Sequence, residues 1–351
     1  MTIPATINTL GIDLAKYSFH IVGQDAAGEI VTKKKLSKAQ LLAMTAKMPK
    51  CLIGMEACSG SHHLARKLVQ QGHDARLLPA QYVKPFVKAH KNDERDAEAI
   101  CEAVQRPTMR FVPIKTEDQL DLQALHRNRE RLVGRRTSLI NQLRAFLLER
   151  GVTIAKSRRA LETALPKIMI DASTPISARM RTMIGDMIDE WKQLDERVDQ
   201  VTTEIELLAK SEDGAVRLIS IPGIGPITAT AMVAAIGQGA AFEKGRDFAA
   251  WLGLVPYQHS TGGRQKLLGI SKRGNRYLRT LFVHAARSIA RFLIGKATTP
   301  LGRWMTALAA RVHGNVAIVA LANKLARIAW AVLRSAGSFD AHHHGKLRMA
   351  S

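Results

Sequence analysis

The chain has little of what organises a secreted or disulfide-held protein. Cysteines number three in 351 residues: Cys51, Cys58 and Cys101, an odd set with no CxxC pair. Neither a disulfide framework nor a structural zinc site is expected from it. No uninterrupted apolar run approaches the roughly 18 residues of a bilayer span. The opening stretch MTIPATINTLGIDLAK lacks the basic and long apolar regions of a secretory leader, so a cytoplasmic protein with no membrane partner is expected. Carboxylates are also scarce. Asp and Glu total 30 against 52 Lys and Arg, a net charge of +22, and none occurs from 248 to 339. From 211 onward 19 basic residues face 5 acidic ones, whereas 111–210 is nearly balanced at 17 and 15. A solubilising surface mixes signs. This segregation points to a polyanion partner, most simply nucleic acid, and a ribosomal-type RNA clamp would satisfy the same charge.

What is present is ample apolar material, 46% of the chain, enough for two or three domains. The first hundred residues alternate strand and helix patterns. Apolar runs at 7–12, 19–24, 29–36, 51–55 and 74–78 read as strands. Segments 37–48, 61–71 and 93–104 read as helices, giving the order β-β-β-α-β-α-β-α. Asp13 and Glu56 each end an apolar strand. In a sheet with parallel crossovers, strand C-termini line one crevice. Asp93 and Asp96, in KNDERDAEAI, are three apart and share a helical face. Four carboxylates at one crevice make an all-oxygen site suited to Mg²⁺ or Mn²⁺, and two such ions can clamp a phosphodiester. Taken singly, each acid also fits a solvated surface group or a helix N-terminal charge pattern.

Two long helical patterns follow, at 117–150 and 176–210, with Leu132, Leu139, Leu143, Trp191, Leu194 and Val198 on their apolar stripes. They read as an antiparallel hairpin or coiled coil serving oligomerisation, or simply packing within the chain. The glycines of IPGIGP, Gly223 and Gly225, sit in a helix-hairpin-helix-like turn whose N–H groups can meet phosphate. The stretch 251–279 is then cation-rich: Arg264, Lys266, Lys272, Arg273, Arg276 and Arg279 surround a hydroxyl, Ser260, beside Gly262 and Gly263. Small residues there let another backbone approach, and cations would hold a phosphodiester chain. A basic surface loop with a glycine turn is the plain alternative. His259 adjoins Ser260, but successive side chains of an extended segment face opposite ways, which argues against His259 as its base. Apolar helices at 277–294 and 316–333 complete this region, and 337–351 is a polar tail whose adjacent His342, His343 and His344 do not read as a metal site.

GIDLAK, the acid of GMEACSG, and KNDERDAEAI resemble the RuvC-like, ribonuclease-H-type domain of the DEDD insertion-sequence transposases. That group includes the Piv-type DNA invertases and the bridge-RNA-guided recombinases. LISIPGIGPITATAMVAAIG and GLVPYQHSTGGRQKLLGISKRGNRYLR resemble the family's C-terminal, serine-bearing domain, and the HSTGG form is most similar to the 1111-type branch of the insertion sequence 110 family. The resemblance implies an α/β plus α architecture: a RuvC-like catalytic domain over 1–112, a helical coiled-coil arm over 113–211, and a mainly helical transposase domain over 212–336. It implies a transposase or site-specific recombinase acting on double-stranded DNA, working as a homo-oligomer and guided by an element-encoded structured RNA. Asp13, Glu56, Asp93 and Asp96 would hold the metal, and Ser260 would form a phosphoserine–DNA link. Thr261 stands where related chains commonly carry serine, which favours Ser260. A RuvC-type junction-resolving nuclease would use the same acids with water instead of Ser260. A non-catalytic nucleic-acid binder would need neither.

Overall fold

The computed structural model describes residues 7–87, 93–295, 298–335 and 337–341. The tail beyond 341, with its three histidines, lies outside the described residues. The chain divides into two compact units, Met1–Glu117 and Asp118–Ser351.

The first unit is built on one sheet. Its strands are β1 (Thr9–Leu14), β2 (Phe19–Gln24), β3 (Ile30–Leu36), β4 (Leu52–Glu56) and β5 (Asp74–Leu78), in the spatial order β3-β2-β1-β4-β5. The first three form an antiparallel meander, and β4 and β5 add parallel to β1. Helices α1 (Lys38–Lys47), α2 (Ser61–Gln70) and α4 (Asp93–Val104) follow the expected order, with the additional short helix α3 (Ala80–Val83) ahead of α4. Helix α1 starts where Ser37 and Gln40 form a reciprocal capping box.

Strand alternation assigns the two faces of the sheet. Leu10, Ile12, Ile53 and Met55 point to one side and pack with Leu41 of α1 and Leu64 and Leu68 of α2. The other side of β1 and β4 carries Gly11 and Gly54, and there α4 lies directly on the backbone. A Cβ at Gly11 would fall 2.2 Å from the Ala97 carbonyl oxygen, and one at Gly54 would fall 2.8 Å from Val104. Bare strand centres thus let the helix come in close.

The second unit is mainly helical. Helices α5 (Glu117–Leu148), α6 (Arg158–Ile170) and α7 (Ala178–Ser211) share one core that includes Leu132, Leu143, Leu161, Leu165, Ile184 and Trp191. The two-helix hairpin expected here is therefore a three-helix assembly. Helix α6 is short and carries Pro166, so it gives a weak periodic signal beside two helices of 32 and 34 residues. A second core joins α8 (Asp213–Ile219), α9 (Pro226–Ile236), α10 (Gly245–Trp251), α11 (Arg276–Leu293), α12 (Pro300–Ala309) and α13 (Gly314–Ser335). Helix α13 is long and apolar enough to cross a bilayer by length and composition. Yet Leu321, Leu325, Ala329 and Val332 place one side of it in this core. Between α10 and α11 the chain forms a two-stranded ribbon, β6 (Pro256–Thr261) and β7 (Arg264–Ile270).

Candidate active site: an acidic crevice and a serine hairpin

In the first unit, β1 and β4 pair in parallel as far as Ile12 with Met55. Asp13 and Glu56 are the next residues, at neighbouring strand ends. They share the parity of Gly11 and Gly54, so both turn toward the face that α4 covers. The close seat of α4 brings its first turn, Asp93 and Asp96, to the same place. Carboxylate oxygens of Asp13, Asp93 and Asp96 all lie within 4.8 Å of one another. Glu56 is not part of that tight triad, but it feels it: its carboxyl is pushed above the usual range by burial, then by Asp13 and Asp96. Burial, then Asp96 and Asp93, do the same to Asp13. Asp13 and Glu56 are thus costlier as anions beside their neighbours, and a hard cation among the acids would remove that cost. The donor set, all oxygen and crowded, fits a divalent ion.

Sequence reasoning missed a basic member of the crevice. His20 on β2 pairs with Asp13 in the antiparallel register, so the two side chains share a face, and its Nε2 lies 3.4 Å from Asp93 Oδ2. The signal was available: a tight connection between strands ending at Leu14 and starting at Phe19 aligns 13 with 20. Cys58 also borders the site, its thiol pushed up by burial, then by Glu56 and Asp13.

Ser260 belongs to the second unit, on β6. The ribbon closes through Gly262 and Gly263, both at positive φ (56° and 74°), the two-residue turn whose twist matches paired strands. Thr261 pairs with Arg264, Ser260 with Gln265, His259 with Lys266 and Gln258 with Leu267. Every residue from 256 to 269 is exposed. Gln258 Nε2 donates to Ser260 Oγ at 2.7 Å, a partner the sequence reading did not find. Thr261 Oγ1 lies 3.4 Å from His259 Nδ1, so His259 associates with the second hydroxyl and not with Ser260.

The root of the ribbon is tied by backbone hydrogen bonds. Ser271 N–H donates to Val255 O and Lys272 N–H to Gly253 O. Lys272 itself is at φ 54°, left-handed without being glycine. Of the expected phosphate contacts, Arg264, Lys266, Lys272, Arg273 and Arg276 are exposed. Arg279 is half-buried, and its Nη1 donates to the carbonyls of Leu252 and Arg273, so it ties the root together. In the turn before α9, a Cβ at Gly223 (φ 86°) would strike Ile289 and the Ala285 carbonyl, whereas Gly225 has open space beside it. Gly223 thus serves packing on α11, and Gly225 leaves the start of α9 accessible. A cavity of about 680 Å³ lies elsewhere in this unit, lined by Lys244, Arg246, Lys324, Arg327 and Trp330 among others. It contains neither Ser260 nor Asp13, Glu56, Asp93 or Asp96.

Residues 10–150 match a DEDD transposase family model of IS110 type, described as Transposase, and residues 215–299 match the family described as Transposase IS116/IS110/IS902. The transposase for insertion sequence element IS1328 of Yersinia enterocolitica is 41% identical over 93% of this chain and 96% of its own length. The transposase for IS1111A of Coxiella burnetii is 40% identical over 93% and 90%. A pilin gene-inverting protein of Moraxella bovis is 23% identical over 80% and 79%. A DEDD-type domain implies a divalent metal, and the Asp13, Asp93 and Asp96 triad can bind one. The chain belongs to the IS110 family of insertion-sequence transposases, enzymes that act on DNA.

Proposed function

We propose that this transposase cleaves and rejoins double-stranded DNA through a phosphoserine–DNA intermediate, with Ser260 as nucleophile. In this reading the first unit is a RuvC-like domain, and Asp13, Glu56, Asp93 and Asp96 hold Mg²⁺, or Mn²⁺ in its place. When bound, that ion would supply Lewis-acid stabilisation of the phosphoryl oxygens. The observation that carries the reading is the convergence of Asp13, Asp93 and Asp96 at the end of β1, with Glu56 in their field.

Ser260 Oγ forms its bond to phosphorus as the phosphorus–oxygen bond to the DNA sugar breaks. The hydroxyl proton passes to solvent and the departing sugar oxygen is protonated in turn, so one phosphodiester is exchanged for another. A free DNA hydroxyl end later reverses the exchange in a partner strand. Lys272, Arg273 and Arg276 bind flanking phosphates, together with the N–H groups near Gly225. Recombination joins more than one strand pair, and we assign α5 and α7 the role of an oligomerisation arm for a homo-oligomer. A structured RNA from the element itself directs the choice of site, and the protein works in the cytoplasm at the nucleoid.

The test is a covalent adduct trapped on a denaturing gel. Ser260→Ala is expected to abolish the adduct while duplex DNA is still bound. Asp13→Asn is expected to abolish divalent-dependent cleavage. Cleavage that persists without an adduct in Ser260→Ala would instead mark water as nucleophile, the behaviour of a junction-resolving nuclease.

A further inference from the structure

The β6–β7 ribbon has two faces of different chemistry. Directly paired residues on antiparallel strands share a face, and neighbours along a strand alternate. Gln258, Ser260, Gln265 and Leu267 therefore lie on one face; His259, Thr261, Arg264 and Lys266 lie on the other. The side-chain contacts agree, since Gln258 meets Ser260 and His259 meets Thr261. The Ser260 face bears two carboxamides and no charge. The two cations nearest Ser260 in sequence point away from it.

We propose that the ribbon divides two tasks: its Ser260 face takes the scissile phosphodiester, with Gln258 as positioning residue, while its Arg264–Lys266 face grips a different stretch of DNA backbone. This rests on Ser260 being the nucleophile. The amide of Gln258 donates to Oγ and leaves the hydroxyl proton free to depart. It then stands ready to stabilise charge building on Oγ. Gln265, directly across from Ser260 at a Cβ spacing of about 5 Å, offers a second neutral donor beside the same phosphate. Neutral donors favour charge as it develops without holding the ground-state phosphate tightly. Arg264 and Lys266 have the opposite use. On a carboxylate-free, exposed face, they complement a polyanion, and the polyanion this family acts on is DNA.

The experiment uses the full chain expressed from its own flanking DNA, which serves as substrate. Adduct formation is followed against DNA concentration, and binding to a random-sequence duplex and to single-stranded RNA is followed against salt. Gln258→Met and Gln258→Ala change only an exposed side chain. They are expected to lower the saturating rate of adduct formation about tenfold or more, with half-saturation unmoved. Arg264→Ala/Lys266→Ala is expected to raise the half-saturating DNA concentration and to reduce the log–log salt slope on duplex by about 1.8. The division of tasks is overturned by a double cation variant whose loss falls on the saturating rate, or by glutamine variants that keep the wild-type rate. It is overturned equally if the cation variant weakens RNA binding and spares the duplex. Ser260→Ala in the same assay isolates the parent reading: an adduct that survives there removes the nucleophile, whatever the faces do.

Discussion

Asp13 is worse off as an anion than an ordinary aspartate, because burial and two neighbouring carboxylates oppose its charge. Removing that charge should help the metal-free fold, the reverse of what most polar substitutions do. Asp13→Asn is expected to raise the metal-free melting temperature by a few degrees and to erase the rise expected for the wild type on adding Mg²⁺, read by thermal denaturation with and without the ion. A lower metal-free midpoint would mean that the acids are held by partners and not by crowding. His126 is the second telling residue. It is buried, with ring nitrogens 3.1 Å from Tyr277 Oη and 3.0 Å from Thr230 Oγ1, and burial, then Arg129, lowers its pKa to about 4. The unfolded chain takes up that proton near pH 6.5, so the stabilisation is present above 6.5 and drains away as pH falls toward 4. Up to about 3 kcal/mol is at stake, and His126→Gln should flatten this part of the stability–pH curve. At this scale the sequence was partly legible. Acids at strand ends carry a positional signal, so the placement of Asp13 and Glu56 at neighbouring strand ends was legible. Gln258 and His20 were not: Gln258 meets Ser260 only because the exposed segment is extended, and His20 meets the acids only through its pairing with Asp13.

Among the elements, α4 is the one on which the acidic crevice depends. Its apolar residues Ala97, Ile100, Cys101 and Val104 lie on β1 and β4 only because Gly11 and Gly54 have no side chains. Gly11→Val should lift the helix, part Asp93 and Asp96 from Asp13, and destabilise the first unit by about 2–3 kcal/mol. Denaturant melts would show the loss, and divalent-dependent cleavage should fall further than stability alone explains. Most strands and helices of the first unit were readable because burial writes short apolar runs or a helical period into the sequence, as at β1 and β4, which are buried on both faces. The ribbon was readable only as a glycine turn. With residues 256–269 exposed on both sides, no apolar alternation marks its strands. Helices α6 and α12 escaped for a related reason, being 13 and 10 residues long beside much longer neighbours.

Across the whole molecule, charge is sorted by sequence region, and the carboxylate-free segment 248–339 includes the ribbon, α11 and α13. Duplex affinity should therefore be strongly ionic, falling about a thousandfold between roughly 50 and 200 mM salt. A shallow salt dependence would show that shape or base contacts dominate instead.

The contact of Gly274 with the chain near Trp251, where a Cβ would come within 1.7 Å of the Trp251 carbonyl oxygen, anchors the ribbon's base in a way no other residue permits. Above that anchor, among the described residues, no side chain of 256–269 belongs to the hydrophobic interior. Scaffold and ribbon are thus decoupled. Exchanges along 256–269 can therefore alter what the ribbon touches while the protein beneath keeps folding as before.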